Sequence, residues 1–220
     1  MFLAIVPAYN EEKTVGSVVR NLFHHVDRVV VVDDGSSDGT GEAARAAGAV
    51  VLTHRLNRGQ GAALETGHEY ARWIGADYVL HFVADGQFDV ADIAPALTAL
   101  KESGAHMLIG SRLLDARSAL PWFKRYVLFP LARLFHRVFF GVVLTDVHNG
   151  FRILSRRALE AIYLEQDRMA HATEILAQAK NCGLKTIEFP VKVVYREYGQ
   201  GFGGGVGVLQ DLLLGKFIKH

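Results

Sequence analysis

The sequence has little of several features that would restrict what the protein can do. Cys182 is the only cysteine, so no disulfide can form within the chain. The 24 Lys and Arg nearly balance the 23 Asp and Glu, so the formal net charge of +1 provides no chain-wide attraction to nucleic acid. No run of about 20 residues is free of charge, which argues against a membrane-spanning helix. The first residues lack a basic segment and a small-residue cleavage site, and we therefore expect a cytoplasmic protein.

What is present predicts a folded α/β domain. Hydrophobic residues make up 50% of the 220 residues, enough for a substantial core. Short β-branched runs alternate with segments of helical periodicity, which is typical of parallel strands joined by helices. The predicted strands are Phe2–Val6, Arg28–Val32, Ala49–Thr53, Asp77–Val83, His106–Gly110 and Val191–Tyr195. We expect a Rossmann-like open, mostly parallel sheet with helices on both faces, and Asn10 as the cap of the first helix.

A basic region follows the fifth predicted strand. Residues 112–157 contain nine Lys or Arg and two Asp, a local excess of seven positive charges. Within it, residues 118–144 are amphipathic and rich in aromatic side chains, which is typical of a segment that lies in a membrane interface. A buried core helix with charged flanks is the alternative interpretation.

Polar motifs stand where the first two predicted strands end. The string Pro7-Ala8-Tyr9-Asn10-Glu11 follows the first strand, and Asp33-Asp34-Gly35-Ser36-Ser37-Asp38-Gly39-Thr40 follows the second. Ligands of open parallel sheets bind at the carboxyl ends of the strands. Carboxylates there can accept hydrogen bonds from a base imide or from ribose hydroxyls, and Tyr9 offers a stacking face. Ordinary turns and helix caps are the alternative for both strings.

A third motif, Asn57-Arg58-Gly59-Gln60-Gly61, follows the third predicted strand and opens a helix. Backbone N–H groups at a helix start, together with Arg58, can hold a diphosphate. A structural turn is an equally good explanation of this string. His24, His25, His148 and His171 show no spacing that indicates a zinc site, and we expect surface or core roles for them.

These strings, in this order, resemble the family-2 glycosyltransferases of the GT-A fold, and in particular the subgroup that acts on polyprenyl or dolichyl phosphate. The similarity runs from Phe2 to about Gly199. It implies inverting transfer of a sugar from a nucleoside diphosphate to a lipid phosphate, with Mg²⁺ or Mn²⁺ bound to the donor. The residues that the resemblance assigns to the nucleotide sugar are Pro7, Ala8, Tyr9, Glu11, Asp33, Asp34 and Gln87.

The resemblance also indicates catalytic and metal-binding residues. Asp85 and Gln87 would hold the metal, and Arg112 and Arg125 would act on the acceptor side. Arg58 and Arg196 are further candidates for the donor diphosphate. The family motif Asp-x-Asp-x-Gln is incomplete, because Val83 replaces the first carboxylate. Magnesium commonly takes one or two protein carboxylates and completes its shell with water and phosphate oxygens, so a single Asp can suffice.

The leading hypothesis is a membrane-associated enzyme with the GT-A domain at residues 1–199. Residues 200–220, a glycine-rich loop and a last amphipathic helix, form its tail. The expected partners are a UDP- or GDP-sugar, a polyprenyl phosphate, the membrane surface at the inner leaflet and a membrane-embedded protein, with no nucleic acid. A soluble transferase acting on a glycan hydroxyl would need a base, for which Asp146 and Glu174 are candidates. A catalytically weak nucleotide-sugar-binding protein is a third hypothesis.

Overall fold

The protein folds around one seven-stranded sheet with helices on both faces. The computed structural model describes residues 1–115, 117, 144–146 and 149–194. The strand order is β3-β2-β1-β4-β6-β5-β7. All described pairings are parallel except those of β6 with its neighbours β4 and β5. The strands are β1 (Phe2–Ala8), β2 (Arg28–Asp33), β3 (Val50–Thr53), β4 (Tyr78–His81), β5 (Met107–Ser111), β6 (Arg152–Ser155) and β7 (Thr186–Pro190).

The helices bury apolar stripes against the two faces of this sheet. They are α1 (Glu12–Leu22), α2 (Thr40–Ala46), α3 (Gln60–Trp73), α4 (Ile93–Ser103), α5 (Arg156–Ala161) and α6 (His171–Asn181), with a 3-10 turn at Val90–Asp92 before α4. In β1, Ala4 and Val6 pack with residues of α1 and α4, whereas Leu3 and Ile5 pack with residues of α3, α5 and α6. Because both faces are covered, β1 and β2 are almost continuous apolar runs.

The structure confirms the α/β class and the first five predicted strands, with ends that shift by a few residues. Two elements differ. Of the predicted strand Val191–Tyr195, the described residues 191–194 contribute one bridge, from Val193 to Phe88, and the described strand is instead Thr186–Pro190. Strand β6 was not predicted: it is antiparallel, four residues long, and leads directly into α5.

The first helix also begins differently from the prediction. Glu11 is its N-cap residue, and Asn10 adopts a left-handed backbone conformation with φ 55°. Residues 118–143, 195–220, Arg125 and Arg196 lie outside the described part, so the predictions for the amphipathic segment and the tail stay predictions. Among the described helices, none is both long enough and apolar enough to cross a bilayer.

Candidate functional site

The loops that follow β1, β2 and β4 leave the same edge of the sheet. Ala8 and Asp33 are register partners at the ends of β1 and β2, and His81 at the end of β4 pairs with Ile5 of β1. The backbone N–H of Asp34 donates to the carbonyl of Ala8 at 2.9 Å, so the first two loops start side by side. The sequence-predicted residues of both loops therefore lie at one edge, where open sheets of this type bind ligands.

Asn10 ties the first loop to the second. Its backbone N–H donates to Ser36 Oγ at 3.0 Å, and its side-chain oxygen accepts from the backbone N–H of Ser37 at 2.9 Å. The N–H of Glu11 donates to the hydroxyl oxygen of Thr40 at 2.8 Å. The left-handed conformation of Asn10, which Asn tolerates better than most residues, allows this arrangement. The two loops thus form one connected surface.

Asp33 and Tyr9 are the members of this surface that fit a nucleoside. The Asp33 carboxylate is buried at the strand end and accepts from the backbone N–H of Ser36 at 3.0 Å, which fixes its orientation. Tyr9 is half exposed and directly follows Ala8, the register partner of Asp33. Pro7 and Ala8 are the last two residues of β1 and directly precede Tyr9. The Glu11 carboxylate accepts from the Thr14 hydroxyl at 2.6 Å, within the first turn of α1.

Asp34 has a different environment from the one predicted. Its carboxylate accepts from the backbone N–H groups of Arg58 at 3.0 Å and Gly59 at 2.7 Å, and His54 Nδ1 lies 2.7 Å from it. The other ring nitrogen of His54 is 2.9 Å from Thr66 Oγ1 in α3. The buried Asp34 therefore holds the loop after β3 in place, and its contact with the nucleotide stays a prediction.

The loop after β3 brings Arg58 to the start of α3. Gly59 has φ 105°, and a Cβ atom at this position would lie 2.5 Å from the carbonyl oxygen of Asp167. That carbonyl accepts from the N–H of Ala62, so the chain around Asp167 covers part of the helix start. The Arg58 guanidinium is half exposed and lies 3.3 Å from the Asp167 carboxylate. This surface pair leaves Arg58 within reach of solvent.

Asp85 and Gln87 form a tight turn after β4. The Asp85 carboxylate accepts from the backbone N–H of Gln87 at 2.9 Å, and the Gln87 carbonyl accepts from Val194. Their side chains supply a carboxylate and an amide oxygen, which are ligands that Mg²⁺ and Mn²⁺ accept. Among the described residues, no group of three or more His, Cys, Asp or Glu is arranged so that it could hold a metal ion by itself. A carboxylate and an amide oxygen fit an ion that shares its shell with water and substrate phosphates.

A narrow cleft beside Val83 contains polar residues that the sequence analysis did not assign. His81, Arg152 and His171 line it together with Pro7 and Val83. All three are buried. Burial lowers the pKa of Arg152 to about 10, while the Asp146 carboxylate opposes that shift. Single histidines at core positions carry no sequence signal of a site, and β6, which supplies Arg152, was itself missed.

His81 also forms a buried pair with a histidine of α3. The Nε2 atoms of His68 and His81 are 2.7 Å apart, and both rings are inaccessible to solvent. Burial lowers the pKa of His68, although Glu65 beside it acts in the opposite direction. Burial also holds the pKa of His81 well below its usual value, reinforced by the charges of His68, Arg152 and His171.

The acceptor-side Arg112 is bound to a buried carboxylate. Its Nε lies 2.6 Å from Asp146 Oδ2, and a terminal nitrogen lies 2.7 Å from Asp146 Oδ1. Asn149 donates to the same carboxylate at 3.2 Å. Glu174, the other candidate base, accepts from the backbone N–H groups of Glu165 and Gln166. Both carboxylates thus accept hydrogen bonds from neighbouring groups of the protein, which is consistent with a structural role.

The comparisons with known proteins agree with this geometry. The model for glycosyl transferase family 2 matches residues 3–163. The UDP-N-acetylglucosamine–dolichyl-phosphate N-acetylglucosaminyltransferase of Methanococcus voltae is 31% identical over 92% of this chain and 89% of that protein. The polyprenol monophosphomannose synthase of Mycolicibacterium smegmatis is 31% identical over 90% of this chain and 78% of its own.

A solved structure gives the same fold at lower identity. Glucosyl-3-phosphoglycerate synthase from Mycobacterium tuberculosis, in complex with Mn²⁺ and UDP-glucose, superposes with a TM-score of 0.74 at 21% identity. The match covers 97% of this chain and 76% of that one. The family model covers most of the chain, and the relatives align over nearly all of it. The chain therefore belongs to glycosyl transferase family 2.

Proposed function

We propose that the protein transfers a sugar, with inversion, from a UDP- or GDP-sugar to a polyprenyl phosphate at the cytoplasmic face of a membrane. One observation carries this proposal: the loops after β1 and β2 are hydrogen-bonded to each other at the edge of the sheet where β4 also ends. The names of the relatives from Methanococcus voltae and Mycolicibacterium smegmatis indicate acceptors of this class.

The donor would lie across the first two loops. Asp33, fixed by the N–H of Ser36, would accept from the base or the ribose, and Tyr9 would stack on the base. Pro7, Ala8 and Glu11 would complete this wall. Arg58, next to the start of α3, would face the diphosphate. The Asp34 carboxylate would keep the loop that carries Arg58 in position.

A divalent metal fits the turn after β4. Asp85 and Gln87 would hold Mg²⁺ or Mn²⁺, and the ion would supply charge stabilisation to the departing diphosphate. The Val83 side chain contributes no oxygen, so water and donor phosphates would complete the shell. The neighbouring structure from Mycobacterium tuberculosis contains Mn²⁺ together with UDP-glucose, which supports such a pairing in this fold.

A phosphate acceptor also suits the carboxylates that are present. A phosphate oxygen is already largely anionic near neutral pH, so no strong base is required, and alignment with the anomeric carbon is the main task. A hydroxyl acceptor would need a base, for which Asp146 and Glu174 are the candidates. Asp146 accepts a hydrogen bond from Arg112, and Glu174 accepts from backbone N–H groups. This arrangement favours the lipid phosphate over the glycan hydroxyl.

Transfer by the purified chain tests the proposal. With a UDP- or GDP-sugar, Mg²⁺ and a detergent-solubilised polyprenyl phosphate, release of nucleoside diphosphate should equal formation of lipid-linked sugar. Asp85→Ala should abolish transfer, whereas Asp89→Ala, four residues further along the chain, should retain it. Turnover with a glycan hydroxyl and none with the lipid would contradict the acceptor. Donor binding without metal dependence or turnover would instead indicate a binding protein.

Arg125 provides a second test of the acceptor, although it lies outside the described residues. Arg125→Ala should weaken use of the lipid more than it weakens donor binding, because a guanidinium fork suits a lipid-borne phosphate. Equal losses in both measurements would count against an acceptor role for this residue.

A further inference from the structure

Two loops at the site edge pack together into one ridge. The first follows β3 and carries Arg55, Leu56 and Arg58; the second precedes α6 and carries Arg168 and Met169. A Cβ atom at Gly59 would lie 3.2 Å from the Cα of Arg168, and the carbonyl oxygen between the loops accepts a hydrogen bond at the start of α3. We call these five side chains the rim ridge.

The rim ridge exposes apolar side chains on a fixed backbone. Leu56 is 76% exposed and Met169 is 40% exposed. The backbone at Leu56 lies against Gly35, where φ is +74° and a Cβ atom would come within 2.8 Å of the Leu56 carbonyl carbon. The Asp34 carboxylate holds the same loop two residues further along the chain. Because the backbone cannot turn Leu56 inward, its side chain projects from the surface.

The charges around these apolar tips are mainly positive. Exposed Arg55 and Arg58 flank Leu56 along the first loop and exposed Arg168 precedes Met169 in the second, and Asp167 is the one acid in the two loop segments 54–59 and 167–169. An exposed leucine flanked by arginines suits a partner with an apolar interior and a negatively charged surface. An anionic bilayer has this profile, and each arginine close to it raises surface occupancy about fivefold.

We propose that the rim ridge is a lipid contact that seats the site edge on an anionic bilayer. Leu56 and Met169 would enter the headgroup boundary, and Arg55 and Arg168 would contact lipid phosphates, while Arg58 faces the donor. The contact is formed by described residues of the domain and includes none from the amphipathic segment 118–144. It rests on the proposed function, since an acceptor held in a leaflet requires the open edge of the sheet to face that leaflet.

Vesicle flotation of the full chain tests the contact. The probes are phosphatidylcholine vesicles with and without 30% phosphatidylglycerol, and the matched variants are Leu56→Asp and Trp73→Asp. Trp73 is 81% exposed but ends α3, at the opposite edge of the sheet from the site. Leu56→Asp should lower partitioning onto anionic vesicles about tenfold, and Trp73→Asp should leave it unchanged. Arg55→Glu combined with Arg168→Glu should lower it further and remove the preference for phosphatidylglycerol.

Two results would overturn the lipid contact. The first is equal partitioning of Leu56→Asp and Trp73→Asp when both unfold at the wild-type denaturant concentration. The second is a change in oligomeric mass by sedimentation without a change in flotation, which would assign the ridge to a second copy of the chain.

Turnover in detergent micelles separates this inference from the proposed function. Leu56→Asp should retain wild-type transfer to micellar polyprenyl phosphate, because it lies outside the residues proposed to bind the donor. If the wild-type protein turns over and Leu56→Asp does not change its partitioning onto vesicles, the lipid contact is refuted and the proposed function is not. If the protein shows no transfer to polyprenyl phosphate but Leu56→Asp lowers its flotation, the proposed acceptor is refuted and the rim ridge remains a membrane contact.

Discussion

Replacing Asp34 by alanine removes the acceptor that joins the loop after β3 to the end of β2. The carboxylate accepts from the N–H groups of Arg58 and Gly59 and lies 2.7 Å from His54 Nδ1, and its side chain is 5% exposed. Hydrogen bonds to a charged group contribute about 1.5–3 kcal/mol each, and partial rehydration of the loop offsets some of the loss. We expect Asp34→Ala to lower the free energy of unfolding by about 3–5 kcal/mol.

Asp167→Ala is the matched control for this change. The Asp167 carboxylate contacts Arg58 from the solvent side at 3.3 Å, and both side chains are about half exposed. Such surface pairs contribute about 0–1 kcal/mol. Urea unfolding followed by circular dichroism measures both variants, with the slope against urea concentration checked for constancy. If Asp34→Ala unfolds at the same urea concentration as Asp167→Ala, Asp34 does not hold the loop.

Three further predictions concern other parts of the domain. Because burial lowers the pKa of His68 and His81 below 6.5, the unfolded chain binds more protons, so stability should fall below pH 6.5 by up to about 1.4 kcal/mol per pH unit for each histidine. Replacing both by glutamine should flatten that dependence in urea unfolding at pH 5 to 7, and an unchanged slope would contradict it. Asp146→Asn should destabilise the fold by about 3 kcal/mol, because it removes the buried negative charge that compensates the Arg112 guanidinium; a loss under about 1 kcal/mol would contradict this. Asp85→Ala should lower transfer at least about a hundredfold and remove its response to Mn²⁺, and full activity would contradict the metal assignment.

The sequence was sufficient to predict the fold where periodicity was strong. The apolar runs of β1 and β2 and the spacing of Val15, Val18, Val19 and Leu22 in α1 each match one element of the structure. Strand β6 could not be predicted in this way, because four residues with a buried arginine give no alternation. The run from Val191 was predicted as the strand in place of Thr186–Pro190, but its described residues contain one isolated β-bridge, at Val193.

The position of the candidate loops was predictable, whereas the partners of their side chains were not. Strings that follow parallel strands must reach one edge of the sheet, so Tyr9 and Asp33 could be brought together from sequence order. That Asp34 accepts from Arg58 and Gly59 depends on the path of the loop after β3. The pairing of Arg112 with Asp146 joins residues 34 positions apart, and no local pattern indicates it.

Calorimetric binding of UDP and GDP to the purified chain, with and without Mg²⁺, tests most directly whether the loops after β1, β2 and β4 hold one donor. The account predicts saturable binding of one of the two nucleotides. Asp33→Ala should abolish that binding, and Asp85→Ala should make it insensitive to Mg²⁺. Wild-type binding by both variants, with the same response to metal, would contradict a shared donor site at this edge of the sheet.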